Sequence, residues 1–406
     1  MTETHTDSDT VLASFRAEAR AWLEAHCPAE MRQPMRSEAD ICWGGRNFAF
    51  ASEAQRTWMQ RMAARGWTVP EWPREYGGAG LTKGEAKVLR AEMRALGCRS
   101  PLDSFGIWML GPALLRFGSE AQKLEHLPKI ARGEIRWCQG YSEPGAGSDL
   151  ASLATRAEHR DDHFVVNGQK IWTSYADKAD WIFCLVRTES GAKKHTGISF
   201  LLFDMQSAGV STRPILLISG QSPFCETFFD DVRVPRANLV GELNGGWTIA
   251  KYLLTHERTS IAGVADSKAA LANLYAAAAR RRAGGRPLLD DPAVRVKLAR
   301  TEIDLMALEY TNLRVLSSTA AGKAPGPESS LLKLMGTAVQ QTLSELSVEF
   351  GAELAWPWHA LGALGNTDHA HAMERYAFLR AATIYGGSDE VQKTVLAKSL
   401  LGKAAA

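Results

Sequence analysis

Tyr141-Ser-Glu-Pro-Gly-Ala-Gly-Ser-Asp149 and Asn167-Gly-Gln-Lys-Ile-Trp-Thr-Ser174 lie inside a block, residues 136–240, that reads as strand. Phe164-Val-Val, Ile171-Trp-Thr, Trp181-Ile-Phe-Cys-Leu-Val, Ile198-Ser-Phe-Leu-Leu-Phe and Thr227-Phe-Phe are rich in β-branched and aromatic side chains. Such side chains fit a pleated, half-buried surface. Asn167-Gly168 between two such runs predicts a two-residue hairpin, because a type I′ turn needs positive φ at both central positions. Outward from this block the period changes. Before it, Val11 to His26, Glu53 to Arg65, Lys83 to Leu96 and Ser119 to Arg132 place apolar residues at three- and four-residue spacing, the pattern of amphipathic helices. After it, Gly246 to Arg282, Asp291 to Ser318, Ser329 to Glu353, Asp368 to Leu379 and Asp389 to Leu401 do the same. Strands and helices are segregated, not interleaved, which argues against a doubly wound sheet. The expected class is α+β: an N-terminal helical domain (1–135), a middle β-barrel or sandwich (136–243) and a C-terminal helical bundle (244–406).

Composition narrows the function. The chain has 406 residues, 45% of them apolar, enough for two or three packed units. Lys and Arg total 47 and Asp and Glu 45, a net charge of +2. That balance gives no global drive toward nucleic acid or an anionic membrane, and neither partner is expected. None of the six cysteines forms a Cys-x-x-Cys pair, and most sit among apolar neighbours. Buried free thiols are expected, with no metal site. The polar start MTETHTDSDT and the lack of any apolar run near ~18 residues predict neither signal peptide nor membrane span, and hence a cytoplasmic location.

Four segments can carry chemistry. The loop Ser142 to Asp149 holds two glycines, a proline and two serines, so its backbone can approach a ligand closely. It lacks the Lys of a P-loop and the spacing of a dinucleotide fingerprint, and read alone it is equally a turn. Trp172 beside Thr173 and Ser174 can stack on a planar ring while a hydroxyl bonds its edge, or can simply pack in a core. Ile249, Leu253, Glu257 and Ile261 advance by four and share one helix face. A carboxylate on an apolar stripe is desolvated, and its pKa rises as a general base requires, unless it sits in a structural ion pair. Ile384-Tyr385-Gly386-Gly387-Ser388-Asp389-Glu390 sets adjacent glycines before a helix. The free N–H groups there can hold an anion or a polar cofactor edge, or mark a capped start.

Together, in this order and over nearly the whole chain, these segments resemble the acyl-CoA dehydrogenase family; PEWPREYGGAG at 70–80 is a further landmark. The resemblance implies FAD as cofactor, an acyl-CoA substrate and an electron-transfer flavoprotein as electron acceptor. It also implies a homo-oligomer (dimer or tetramer) or a heterotetramer with a related subunit. By that resemblance Tyr141, Ser142, Gly147 and Ser148 line the flavin and the thioester end of the substrate. Trp172, Thr173 and Ser174 meet the isoalloxazine ring, with the Ser174 hydroxyl near N5. Gly387, Ser388 and Glu390 touch the flavin from the last helix, and Tyr385 and Gly386 join Ser148 at the substrate. Phe105, Trp108 and Met109 are candidates for the acyl pocket.

Two departures matter. Most of the family carries its base directly after the Tyr of the C-terminal motif, where this chain has Gly386. A branch that includes isovaleryl- and long-chain enzymes carries it on the first long helix of the C-terminal domain, followed by Arg, as in His256-Glu257-Arg258-Thr259. Glu257 is therefore the expected base, and Arg258 its orienting or charge-balancing neighbour. Two facing carboxylates would repel, which suits glycine at 386. Many relatives also have an Arg-x-Thr-Phe-Gly segment that binds a neighbouring subunit's flavin. Here the stretch is Arg281-Arg-Ala-Gly-Gly-Arg286, and Glu349-Phe-Gly-Ala352 replaces the expected Gln and paired glycines. In this the chain is similar to the large subunits of pimeloyl-CoA dehydrogenases, which pair with a second subunit. The implied reaction is desaturation of an acyl-CoA to the trans-2-enoyl-CoA. A partner-dependent or non-catalytic subunit, and a flavin monooxygenase or oxidase of the same fold, are the alternatives.

Overall fold

The computed structural model describes residues 3–35, 38–191, 194–320, 326–356, 369 and 371–402, without the side chains of 3–9, 255–261, 319 and 320. The architecture is α+β, in the expected order of helices, strands and helices. The chain divides into two compact units, Met1–Pro214 with Pro223–Ala250, and Ile215–Ser222 with Lys251–Ala406.

In the first unit, helix starts are set by local capping. Ser52 accepts a hydrogen bond from the Gln55 N–H, and Thr82/Glu85 and Ser119/Gln122 form capping boxes, so orphan donors of the first turn are satisfied. The helices Glu53–Ala64 and Lys83–Ala95 bury Trp58, Met62 and Leu89 against Ala19 and Leu23. The strands are β1 (Trp137–Gly140), β2 (Arg156–His159), β3 (His163–Ser174), β4 (Trp181–Arg187), β5 (Ile198–Asp204), β6 (Val210–Ile215), β7 (Phe224–Pro235) and β8 (Leu239–Val240). They form one sheet in the order β6-β7-β3-β2-β4-β5-β8, with β1 parallel to β4. Alternate residues Phe164, Val166, Ile182, Cys184, Leu201 and Phe203 share one core. The other face of β4 and β5 is covered too: Phe183 stacks on Phe200, and the Tyr141 ring meets both edge-on. Burial on both faces explains why β4 and β5 are continuous apolar runs. On the helical side, the Gln122 amide donates to the carbonyls of Ala237 and Leu239, tying the helix Glu120–Ala131 to the end of the sheet.

The structure corrects the hairpin expected at Asn167-Gly168. Both residues lie inside the unbroken β3, at a register shift against β7. The Asn167 amide exchanges two hydrogen bonds with Asp231, whose φ is 50°, and a Cβ on Gly168 would lie 2.7 Å from the Thr155 Cα. An Asn-Gly pair serves a bulge as well as a turn, because both need unusual φ and close backbone approach.

In the second unit, the helices Val264–Arg280, Pro292–Ala320 and Glu328–Gly351 bury Leu271, Leu274, Leu298, Leu308, Leu332 and Leu343. The single helix expected from Gly246 to Arg282 is two helices, Gly246–Ile261 and Val264–Arg280. They break at Gly263, with φ 56°, beside a buried Ala262 that packs on Gly336. On Pro292–Ala320, Val296, Ile303, Met306, Tyr310 and Leu313 form an exposed apolar stripe. The PGP turn at 325–327 is described only from Gly326 onward. All six cysteines are buried free thiols, as expected. No helix among the described residues is long and apolar enough to cross a membrane.

Candidate functional site

In the first unit the structure brings the 141–149 loop and the end of β3 together. β1 delivers Tyr141, which is buried, and the chain then turns back on itself: Glu143 and Ala146 exchange backbone hydrogen bonds of 3.1 and 3.0 Å. The Ser142 carbonyl accepts from the Ile171 N–H at 2.9 Å, joining loop to strand. Gly147 and Ser148 are exposed, and a Cβ built on Gly145 or Gly147 meets nothing within 4 Å. The loop therefore presents an open glycine edge.

Trp172 stands beside it. Between Lys170 and Thr173 β3 carries one residue more than β7, a bulge that re-aims the side chain. Trp172 has φ 59°, a left-handed conformation that a bulky residue seldom adopts, and it is 52% exposed. Its ring meets Phe224 edge-to-face at 6.0 Å. Strain of this kind concentrates where a side chain must be held for a ligand. Ser174 is half-buried at the strand's end, while Thr173 is fully buried and its hydroxyl has no hydrogen-bond partner among the described residues. An exposed indole, an open backbone edge and nearby hydroxyls fit the planar ring and polar rim of a flavin.

Neither the loop nor the bulge stands by itself. Lys170, with no solvent exposure, donates to the Tyr141 carbonyl at 3.1 Å and to Glu143 Oε1 at 2.7 Å. The Glu143 carboxylate also accepts the N–H groups of Ala154 and Thr155 at 2.6 and 2.9 Å. Burial pushes the Glu143 carboxyl up, but Lys170, Thr155 and Ala154 outweigh it and hold the group below its ordinary range. Sequence reasoning missed this pair, although Lys170 falls in phase with the inward-facing Phe164 and Val166.

In the second unit the turn before the last helix is built as expected. Gly386 and Gly387 have φ 64° and 88°, and Ser388 caps the helix Asp389–Leu401 through the Val391 N–H. Tyr385 is partly buried, and burial raises its phenol pKa. Glu390 is exposed, held below its ordinary range by its own N–H and by Ser388. Two buried groups support the turn, and neither was anticipated. Lys333, with no solvent exposure, pairs with Asp389 Oδ1 at 2.7 Å. Gln392 is fully buried, both its amide atoms lack hydrogen-bond partners among the described residues, and its Nε2 would lie 2.2 Å from a Cβ on Gly387. The backbone of Glu257 and Arg258 belongs to the helix Gly246–Ile261; their side chains lie outside the described residues.

The two divergent segments meet each other. Arg282-Ala283 and Arg286-Pro287 pair as a small hairpin. Arg281 just before it donates to the Gly351 carbonyl and pairs with Glu353. Of the acyl-pocket candidates, Met109 is buried and Trp108 is exposed against Phe105, all three at a π-helical turn around Gly106–Leu110. A separate cavity of 810 Å³ in the first unit lies among Trp43, Phe48, Arg136 and Tyr175, and none of the expected flavin or substrate residues lines it.

Three family models match the chain: acyl-CoA dehydrogenase, N-terminal domain, over residues 12–134; middle domain, over 138–232; and C-terminal domain, over 244–401. The chain is 36% identical over 400 residues to the acyl-CoA dehydrogenase IpdE1 of Mycobacterium tuberculosis (strain ATCC 25618 / H37Rv), covering 96% of this chain and 97% of the relative. Among solved structures it is similar to a chain of the Tcur3481-Tcur3483 steroid ACAD, with TM-score 0.77, 32% identity and 97% of each chain covered. It is also similar to a chain of the ChsE4-ChsE5 complex from Mycobacterium tuberculosis, with TM-score 0.77, 31% identity and 96% and 97% covered.

Proposed function

The chain belongs to the acyl-CoA dehydrogenase family, oxidoreductases that act on CH–CH donors, and from this we propose that it binds FAD and desaturates a CoA thioester between Cα and Cβ to the trans-2-enoyl-CoA. The observation that carries the reading is the exposed, strained Trp172 beside the open glycine edge of the 145–148 loop. Bound FAD would supply the acceptor for the hydride leaving Cβ. The residues of the chain do the rest. Trp172, Thr173, Ser174, Tyr141, Ser142, Gly147 and Ser148 are assigned to the flavin ring and its edge, and Gly387, Ser388 and Glu390, on the turn before the last helix, to flavin contacts of their own. Glu257 takes the α-proton, and Arg258 balances its charge. Glycine at 386 avoids a second carboxylate that would compete for that proton. The positive φ of Gly386 lets a backbone N–H near it meet the thioester carbonyl beside Tyr385, where a donor stabilises developing enolate charge by about 3 kcal/mol.

Electrons then pass to an electron-transfer flavoprotein. A steroid-type acyl group is the proposed substrate, supported by the similarity to the Tcur3481-Tcur3483 steroid ACAD. The structure also favours a partner-dependent reading. Arg281 is committed to Gly351 and Glu353 within its own unit, so contacts to a neighbouring flavin would come from a second, related chain.

The test is anaerobic. The purified protein should be yellow with FAD, and steroid-type acyl-CoAs should bleach it faster than dicarboxylyl or straight-chain ones. Glu257→Gln keeps the flavin and slows its reduction by about 10²–10⁴-fold, the usual worth of a general base. Equal bleaching by parent and variant removes Glu257 from the mechanism. Oxygen consumption without an added acceptor favours an oxidase instead.

A further inference from the structure

We propose that Lys170 is a positioning residue: a single buried ammonium that locks the 141–148 loop and the 171–174 bulge into one register, and so sets how tightly and in what environment flavin is held. This rests on the reading that these two segments hold FAD. The geometry is specific. The lysine donates two hydrogen bonds, to the Tyr141 carbonyl and to Glu143 Oε1, at 3.1 and 2.7 Å, from a position with no solvent exposure. The same carboxylate gathers the N–H groups of Ala154 and Thr155, where the chain leaves the loop. Lys170 thus clamps the start of the loop directly and its end through Glu143. The bulge that throws Trp172 outward begins at the next residue, and the Ile171 N–H is bonded back to the Ser142 carbonyl at 2.9 Å. Two segments distant in sequence share one anchor: Trp172, Thr173 and Ser174 follow Lys170 directly along β3, and Tyr141 and Ser142 directly precede its partner Glu143. Lys170 is walled off from solvent, so it acts through them.

Removing the ammonium leaves a buried carboxylate without its cation. The loop then settles by admitting water or by shifting, and Trp172 loses the register that re-aims it. The second unit uses the same arrangement at its own motif, where the buried Lys333 holds Asp389 at the start of the last helix.

The experiment uses the full-length protein. Apoprotein is titrated with FAD, and quenching of flavin fluorescence gives Kd; the visible spectrum and thermal midpoint are recorded beside it. Lys170→Met keeps an unbranched side chain one atom shorter and removes the charge. Lys170→Met with Glu143→Gln removes both charges and leaves no unpaired buried carboxylate, so it should fold better than the single variant. The expected result is an FAD Kd at least tenfold higher in the double variant, with the flavin bands moved toward those of free FAD, while the thermal midpoint recovers relative to Lys170→Met. A purely structural lysine gives the opposite split: a lowered midpoint with Kd within twofold of the parent and an unchanged spectrum. That outcome overturns the proposal, as does failure of both variants to fold, which would place Lys170 in the fold and not the site. If the parent itself binds no FAD, the functional reading falls instead.

Discussion

The φ of 59° at Trp172 costs about 1–3 kcal/mol, and its contact with Phe224 returns about 0.5–1.5 kcal/mol. The two nearly cancel, so Trp172→Gly should change apoprotein stability by less than about 1 kcal/mol in urea unfolding. Flavin absorbance and FAD affinity should change strongly; an unaltered flavin spectrum would show that the strain serves something else. Glu143 carries a pH signature of known sign. Its folded pKa is lowered from 4.5, so its contribution to stability is complete above pH 4.5 and is lost as the pH falls through the folded value. The stability gap between the parent and Glu143→Gln should be constant between about pH 5 and 8 and should shrink in more acidic buffer. A gap that widens on acidification contradicts the assignment. Neither buried lysine was legible beforehand, because a charged side chain is placed on the surface by default. Trp172, Ser174 and the 141–149 loop stood out by residue type, but the residues alone left core packing and a plain turn open; the exposure of Trp172 follows from the bulge against β7, which no local pattern announces.

Helices that start with a cap were read to within a residue or so: Ser52, Thr82, Ser119 and Ser388 each fix a start locally. Elements that depend on a distant neighbour were not. Asn167-Gly168 looked like a hairpin because the partner that makes it a bulge, Asp231, lies far along the chain. The break at Gly263 was lost in an alanine-rich background, since it follows from packing of Ala262 on Gly336 and not from any breaker pair. The short helix Gly111–Phe117, not singled out in the sequence, shows the same dependence on tertiary contact. A Cβ on Gly111 would lie 2.1 Å from Trp72 Cζ2. Alanine gains about 1 kcal/mol of helix propensity over glycine, but overpacking of a full core costs about 1–3 kcal/mol or more. Gly111→Ala should therefore lower the unfolding midpoint, and a raised midpoint would mean that Trp72 yields easily.

At the scale of the molecule, the order of helical, β and helical segments was visible because each period persists over many residues. What the sequence concealed was the exposed seam on Pro292–Ala320, where Val296, Ile303, Met306, Tyr310 and Leu313 recur with heptad spacing. An exposed apolar stripe of this size marks an interaction surface, and a second, related chain is its expected occupant. Ile303→Glu with Tyr310→Glu should weaken association at least about tenfold in sedimentation velocity, because central aromatic and aliphatic anchors dominate such interfaces. An unchanged sedimentation profile places the partner elsewhere. The cysteines offer a last consequence. Cys27, Cys42, Cys98, Cys138, Cys184 and Cys225 are all buried and all lie in the first unit; the second contains none. A colorimetric thiol reagent is therefore a clock for one half of the polypeptide: silent while that half stays shut, sixfold when it opens, and blind to whatever the other half does.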